Sequence, residues 1–172
     1  MTIRIILDTN IYGKIIADGV EEQIIEKTDI HKHTMTIYGM KIIRNEIRMA
    51  PKHSKDRYDL RRALIRLYED VTRGHELHIK PLAHQLAILY YKKYRANGGS
   101  ISWKDMMNDM LIVAEATISG LDIVVSEDNR TMISSHAKNA YFSVNKQHNL
   151  ITPNFIGYNE FYQLGGKWKN PR

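Results

Sequence analysis

An α/β fold is what this sequence predicts: a three-layer α/β/α sandwich on a central, mainly parallel sheet. Three observations carry the expectation. The very apolar, β-branched runs Ile3–Leu7 and Ile123–Val125 are short, as buried strands are. Long segments of helical periodicity stand between the strands, the alternation that a parallel sheet with crossover helices requires. The 172 residues are 43% hydrophobic and 26% charged, a globular balance. At that length roughly 70% of the unfolded surface is buried on folding, so no staple is needed.

The elements follow in order. Residues 3–7 read as a strand that ends at Asp8. Residues 10–17 and 20–30 read as helices parted by the Asp18-Gly19 turn, and 34–37 as a short strand. Residues 39–50 have helical periodicity and stop at Pro51. The segment 56–72 is a helix closed by Gly74, followed by a strand at 75–79. Pro81 starts a helix over 82–95, which Asn97-Gly98-Gly99 ends. A long helix covers 102–119 up to Gly120, and 123–125 is a buried strand. Residues 129–139 read as helix, 141–144 as a strand and 153–164 as a final helix. No repeat, low-complexity tract or linker divides the chain, so 1–172 is expected to be a single domain, with a basic helical region at about 41–75.

Composition excludes several function classes. Cysteine is absent, which removes disulfide scaffolds, thiolate zinc sites, iron–sulfur clusters and cysteine nucleophiles. No apolar run approaches the ~20 residues that span a bilayer. The N-terminus enters a strand directly, without a signal peptide, so a cytoplasmic location is expected. The net charge of +6 is uneven. Residues 41–75 hold ten basic and five acidic side chains, and the end from Lys167 to Arg172 adds three cations. A basic stretch beside a near-neutral body suits a polyanion such as RNA; the plainer reading is a solvated helix face on which Asp59, Glu69 and Asp70 pair with the arginines. Arg44, Arg48, Lys52, Arg57, Arg61 and Arg62 are the candidate RNA-facing residues. Tyr90, Tyr91 and Tyr94 lie at helical spacing and read as packing residues. The eight histidines are scattered and read as surface imidazoles.

Four acids stand where simple packing does not put them. Glu46 is expected near the middle of an apolar helical stripe with Ile42, Ile43, Met49 and Ala50, where an unpaired carboxylate costs several kcal/mol unless a salt bridge answers it. Asp109 sits at the edge of an apolar arc with Ile112, Val113 and Ala116. Asp8 and Asp128 each follow the carboxyl end of an expected parallel strand, the edge at which open α/β sheets bind ligands, although each can also cap the next helix. Asp105 has an ordinary explanation as the acid of a capping box begun by Ser102. Gathered carboxylates raise one another's pKa and want a cation; oxygen ligands without cysteine favour Mg²⁺ or Mn²⁺ over zinc.

Taken in chain order, these motifs resemble the PIN-domain nucleases. The residues concerned are Ile5-Ile6-Leu7-Asp8-Thr9-Asn10, a helical Glu46 in Arg44-Asn45-Glu46-Ile47-Arg48, Asn108-Asp109 leading into Met110 to Ala116, Val125-Ser126-Glu127-Asp128, and Thr152-Pro153 before the last helix. The resemblance runs from Ile3 to Leu164 and implies a PIN-like sandwich. It implies a metal-dependent endoribonuclease, often the toxin of a VapBC-type toxin–antitoxin pair, that hydrolyses RNA in line to leave 5′-phosphate and 3′-hydroxyl ends. Asp8, Asp109 and Asp128 would be ligands of Mg²⁺ or Mn²⁺, with Glu46 binding the metal or orienting its water. Asn10 and Ser126 would hold carboxylates or substrate in place; Asp105, one turn before Asp109, is a further supporting candidate from its position. An antitoxin and a homodimer are the partners it implies beyond RNA.

Two rivals remain at this level. One is a non-catalytic RNA-binding or partner-binding module on the same fold, which would have little use for four intact acids. The other is a phosphotransfer enzyme with Asp8 as nucleophile; those want a second aspartate two residues on, and this chain has Asn10.

Overall fold

Ile5, Ile6 and Leu7 are consecutive and fully buried, so both faces of their strand, β1 (Ile3–Leu7), are covered. A computed structural model, describing residues 2–52 and 59–167, places β1 at the centre of a five-stranded sheet. Its neighbours are β2 (Met35–Met40) and β4 (Ile123–Val125), and the edges are β3 (Glu76–Leu77) and β5 (Asn154–Ile156). All four pairings are parallel, with Ile5 opposite Ile37 on one side and Ile123 on the other.

Helices α1 (Thr9–Asp18), α2 (Glu21–Ile30), α3 (Lys41–Met49) and α4 (Leu60–Thr72) pack among themselves. A second group is α5 (Pro81–Ala96), α6 (Trp103–Ile118) and α7 (Ser135–Gln147), while α8 (Tyr158–Lys167) lies against α2. Right-handed crossovers put the two groups on opposite faces of the sheet, which gives the expected α/β/α layers. The order β3-β2-β1-β4-β5 reverses direction between β1 and β4. At such a switch point the carboxyl ends of the two strands open a crevice.

Several boundaries differ from expectation for local reasons. Gly39 and Met40 close β2 by pairing with Glu76 and Leu77, so α3 begins at Lys41 rather than residue 39. Gly39 is there because a Cβ would run into the Tyr68 hydroxyl, which donates to the Met40 carbonyl at 3.3 Å. The helix expected over 56–72 begins at Leu60, where the Asp59 side chain accepts the Arg62 N–H; residues 56–58 lie outside the described residues.

The last third contains two corrections. Residues 141–144 are not a strand. Ala137, Ala140, Tyr141 and Val144 are buried at helical spacing inside α7, whose N-cap is Ser134. The residues after Asp128 form a turn first, because its carboxylate captures the Arg130 and Thr131 amides. The fifth strand is instead Asn154–Ile156, inside the segment expected to be helical; Pro153 precedes its edge position, where a missing N–H is harmless.

The core is one contiguous cluster. Tyr90 and Tyr94 are buried in it, as packing residues should be, and the Tyr90 hydroxyl donates to Asn145 Oδ1 at 2.6 Å. Glu115, on the polar stripe of α6 by its spacing, is in fact fully buried: it accepts the Lys80 N–H at 2.8 Å and the Ser119 hydroxyl at 2.6 Å, with Lys80 Nζ 3.3 Å away. Among the described residues no helix is long and apolar enough to cross a membrane.

Candidate functional site

The switch point sets Asp8, at the end of β1, beside Ser126 and Asp128, at the end of β4. Asp8 is buried. Its carboxylate accepts the Thr9 N–H at 2.7 Å as the N-cap of α1, the Ser126 hydroxyl at 2.7 Å and the Asn10 side-chain amide. Asn10 in turn accepts the Glu127 N–H at 3.2 Å, and Ser126 Oγ accepts the Asp128 N–H at 3.1 Å. These bonds tie the two strand ends together. Asp128 is held by its own turn, accepting the amides of Arg130 (3.0 Å) and Thr131 (2.9 Å) and the Thr131 hydroxyl (2.6 Å). Both aspartates therefore satisfy local backbone donors while still facing the crevice.

Two helices supply the remaining acids. Glu46 on α3 is half-buried at the edge of the apolar stripe, because Met49 is 84% exposed and only Ile43 and Ile47 are buried. No salt bridge answers Glu46 among the described residues; it accepts the Thr9 hydroxyl at 2.5 Å and the Asn108 amide at 2.7 Å. Asp109, the next residue on α6, is half-buried as well. Asp8, Thr9, Asn10, Glu46, Asp105, Asp109, Asp128, Arg130 and Thr131 all line one cavity of about 510 Å³. Asp105 also keeps its capping role, taking the Ser102 hydroxyl at 2.7 Å.

The cavity is electrostatically unfavourable as it stands. Burial pushes Asp109 up to about 7, and the charges of Asp8, Asp128 and Glu46 add to that rise. Burial likewise raises Asp8 to about 6; hydrogen bonds from Ser126 and Thr9 oppose the rise, and Glu46 and Asp128 add to it. Tyr141 on α7 is fully buried with a hydroxyl that finds no partner, and its pKa is raised by burial and by the charges of Asp109, Tyr90, Asp128 and Asp8.

The donor set is all oxygen and anionic, which fits a hard divalent cation such as Mg²⁺ or Mn²⁺. Among the described residues no three His, Asp or Glu side chains are gathered closely enough to hold an ion as they stand. Hydroxyl and amide partners (Thr9, Asn108, Ser126, Thr131) bond oxygens of Glu46, Asp8 and Asp128 instead.

Among the described residues, the candidate RNA-facing cations Arg44, Arg48, Lys52, Arg61 and Arg62 do not line this cavity. Arg44 is bound to Glu69 at 2.5 Å, and Arg61 Nε donates to the Ala50 carbonyl at 2.8 Å. Arg66 pairs with Asp70, so two of the three acids proposed as arginine partners have that role, while Asp59 caps α4. Arg48, Lys52 and Arg62 are exposed. Arg57 lies outside the described residues.

Sequence reasoning missed four residues of the cavity network: Thr9, Asn108, Arg130 and Thr131. Adjacency was the available signal, since Thr9 and Asn108 each neighbour a singled-out aspartate. Thr131 stands three residues after Asp128, at the spacing of an Asx turn.

No family model matches the chain, and no curated protein matches it. Solved structures do. A chain of VapBC2 from Rickettsia felis, crystallised with a DNA fragment from its promoter, superimposes with a TM-score of 0.59 over 90% of this chain and 98% of that one, at 12% identity. A chain of FitAB, bound to an IR36 DNA fragment, gives 0.54 over 90% and 94%, at 14% identity. The chain thus shares the three-layer fold of these two structures.

Proposed function

We propose that this protein is a Mg²⁺- or Mn²⁺-dependent endoribonuclease of the PIN type, the cytoplasmic toxin of a toxin–antitoxin pair. The observation that carries the reading is the meeting of Asp8, Glu46, Asp109 and Asp128, from four separate parts of the chain, in one cavity at the switch point of the sheet. Likeness in fold to VapBC2 and FitAB supports the toxin part, with an antitoxin protein as partner.

In this reading Asp8, Asp109 and Asp128 hold the cation, and Glu46 binds it or orients the attacking water. When bound, a divalent ion lowers the pKa of water and neutralises charge on the phosphodiester and its leaving oxygen. The chain's own contribution is pre-organisation. Ser126 and Asn10 fix the Asp8 carboxylate, Thr9 and Asn108 hold both oxygens of Glu46, and Thr131 bonds one Asp128 oxygen through its hydroxyl and the other through its amide. Such support keeps a site within the narrow geometry that catalysis requires.

One observation favours the rival binding-module reading: the acids are not gathered at ligand spacing. The same experiment separates the two. Structured RNA is incubated with the protein and Mn²⁺, beside Asp8→Asn. Cation-dependent cleavage that Asp8→Asn abolishes supports the nuclease. Activity that survives the substitution unchanged overturns it, and RNA bound but left intact by both proteins selects the binding module.

A further inference from the structure

A phosphodiester entering this cavity meets five carboxylates: Asp8, Glu46, Asp105, Asp109 and Asp128. Among the described residues only one lysine or arginine lines the same space, and it is Arg130. Its backbone is fixed, because its N–H donates to Asp128 Oδ1 at 3.0 Å and the same carboxylate grips the amide and hydroxyl of Thr131. Its side chain is exposed. Among the described residues other arginines of the chain are committed: Arg44 to Glu69, Arg66 to Asp70 and Arg73 to Asp29. Arg130 pairs with none of the carboxylates around it and donates no side-chain hydrogen bond to a described residue. An uncommitted guanidinium on the rim of an acidic cavity is suited to an incoming anion, and its planar fork matches two phosphate oxygens at once.

We propose that Arg130 is the phosphate-binding residue of the site, clamping two non-bridging oxygens of the RNA backbone beside the acid cluster. The inference rests on the nuclease reading above and names how that site holds its substrate. A lysine offers charge without the fork, so Arg130→Lys separates geometry from charge.

Wild type, Arg130→Ala, Arg130→Lys and Asp8→Asn are compared in three measurements with Mn²⁺ present: cleavage of a structured RNA, affinity for a single-stranded RNA ten-mer, and Mn²⁺ binding by calorimetry. Thermal melting confirms that each variant folds. Arg130→Ala is expected to lower kcat/KM on the order of 100-fold and RNA affinity on the order of tenfold. Mn²⁺ affinity stays equal to wild type or rises, and Arg130→Lys recovers part of the loss. If Arg130→Ala cleaves and binds RNA like wild type while Asp8→Asn is inactive, the Arg130 assignment is overturned and the nuclease reading stands. Loss of Mn²⁺ binding in Arg130→Ala also overturns it, because the residue then serves the acids rather than the RNA. Wild type that neither cleaves nor binds RNA overturns the nuclease reading and this inference together.

Discussion

Asp109→Asn should stabilise the metal-free protein, and by an amount that depends on pH. Burial and three neighbouring carboxylates raise Asp109 from 3.8 to about 7, so the folded state holds its proton more tightly than the unfolded chain does. A raised carboxylate pKa contributes stability that is fully present below the unfolded value and lost as pH climbs through the folded one. Between pH 4 and 7 the native protein therefore loses stability. A gap of about three units corresponds to roughly 4 kcal/mol at 1.36 kcal/mol per unit. Asp109 is only half-buried, and solvent screening trims this to about 2–4 kcal/mol. Asparagine keeps the shape and removes the charge. In EDTA at pH 8 it should raise Tm by roughly 4–16 °C, given about 2–4 °C per kcal/mol for a chain of this size. At pH 4, where the wild-type carboxyl is already protonated in the fold, the two proteins should melt within a degree or two of each other. Thermal melts at several pH values make the comparison. An Asp109→Asn protein no more stable than wild type at pH 8 would refute the claim that burial, with the neighbouring acids, disfavours this charge.

Three further outcomes are expected. Asn108→Ala removes the 2.7 Å donor to Glu46 and should cost roughly 10–100-fold in metal affinity or turnover, seen in a Mn²⁺ titration. Gly39→Ala drives a methyl into the Tyr68 hydroxyl and should destabilise by about 1–3 kcal/mol in urea unfolding; an unchanged midpoint contradicts that packing. Reversing charge at the exposed pair, Arg48→Glu with Arg62→Glu, should flatten the salt dependence of RNA binding by about 1.4 in log–log slope while leaving Mn²⁺ affinity alone.

Much of the architecture was legible because its signals are local. The strand at Ile3–Leu7 and the one at Ile123–Val125 are short apolar runs, and Pro81, Ser102 and Gly120 mark helix ends by their own backbone chemistry. The failures came where a local pattern served a different partner. Tyr141 and Val144 suggested a strand, yet they are the buried face of α7, and Asn154–Ile156 is a strand only because β4 lies beside it to pair.

The site divides the same way. Strand-end aspartates are visible because a strand's end can be seen in one dimension. Glu46 and Asp109 stood out as acids on partly apolar helix faces. The long-range hydrogen bonds were not visible: Thr9 to Glu46 spans 37 positions and Asn108 to Glu46 spans 62, and no periodicity encodes such a meeting. Arg130 was hidden because an exposed arginine has no pattern until the cavity beside it is known.

The most direct test of the central claim is to map the ends of the RNA fragments this protein releases with Mn²⁺, alongside Asp8→Asn and an EDTA control. Fragments with 5′-phosphate and 3′-hydroxyl ends, absent in both controls, are the expected result. Cleavage that persists in EDTA, or fragments ending in 2′,3′-cyclic phosphate, would contradict chemistry performed by a cation held among Asp8, Glu46, Asp109 and Asp128.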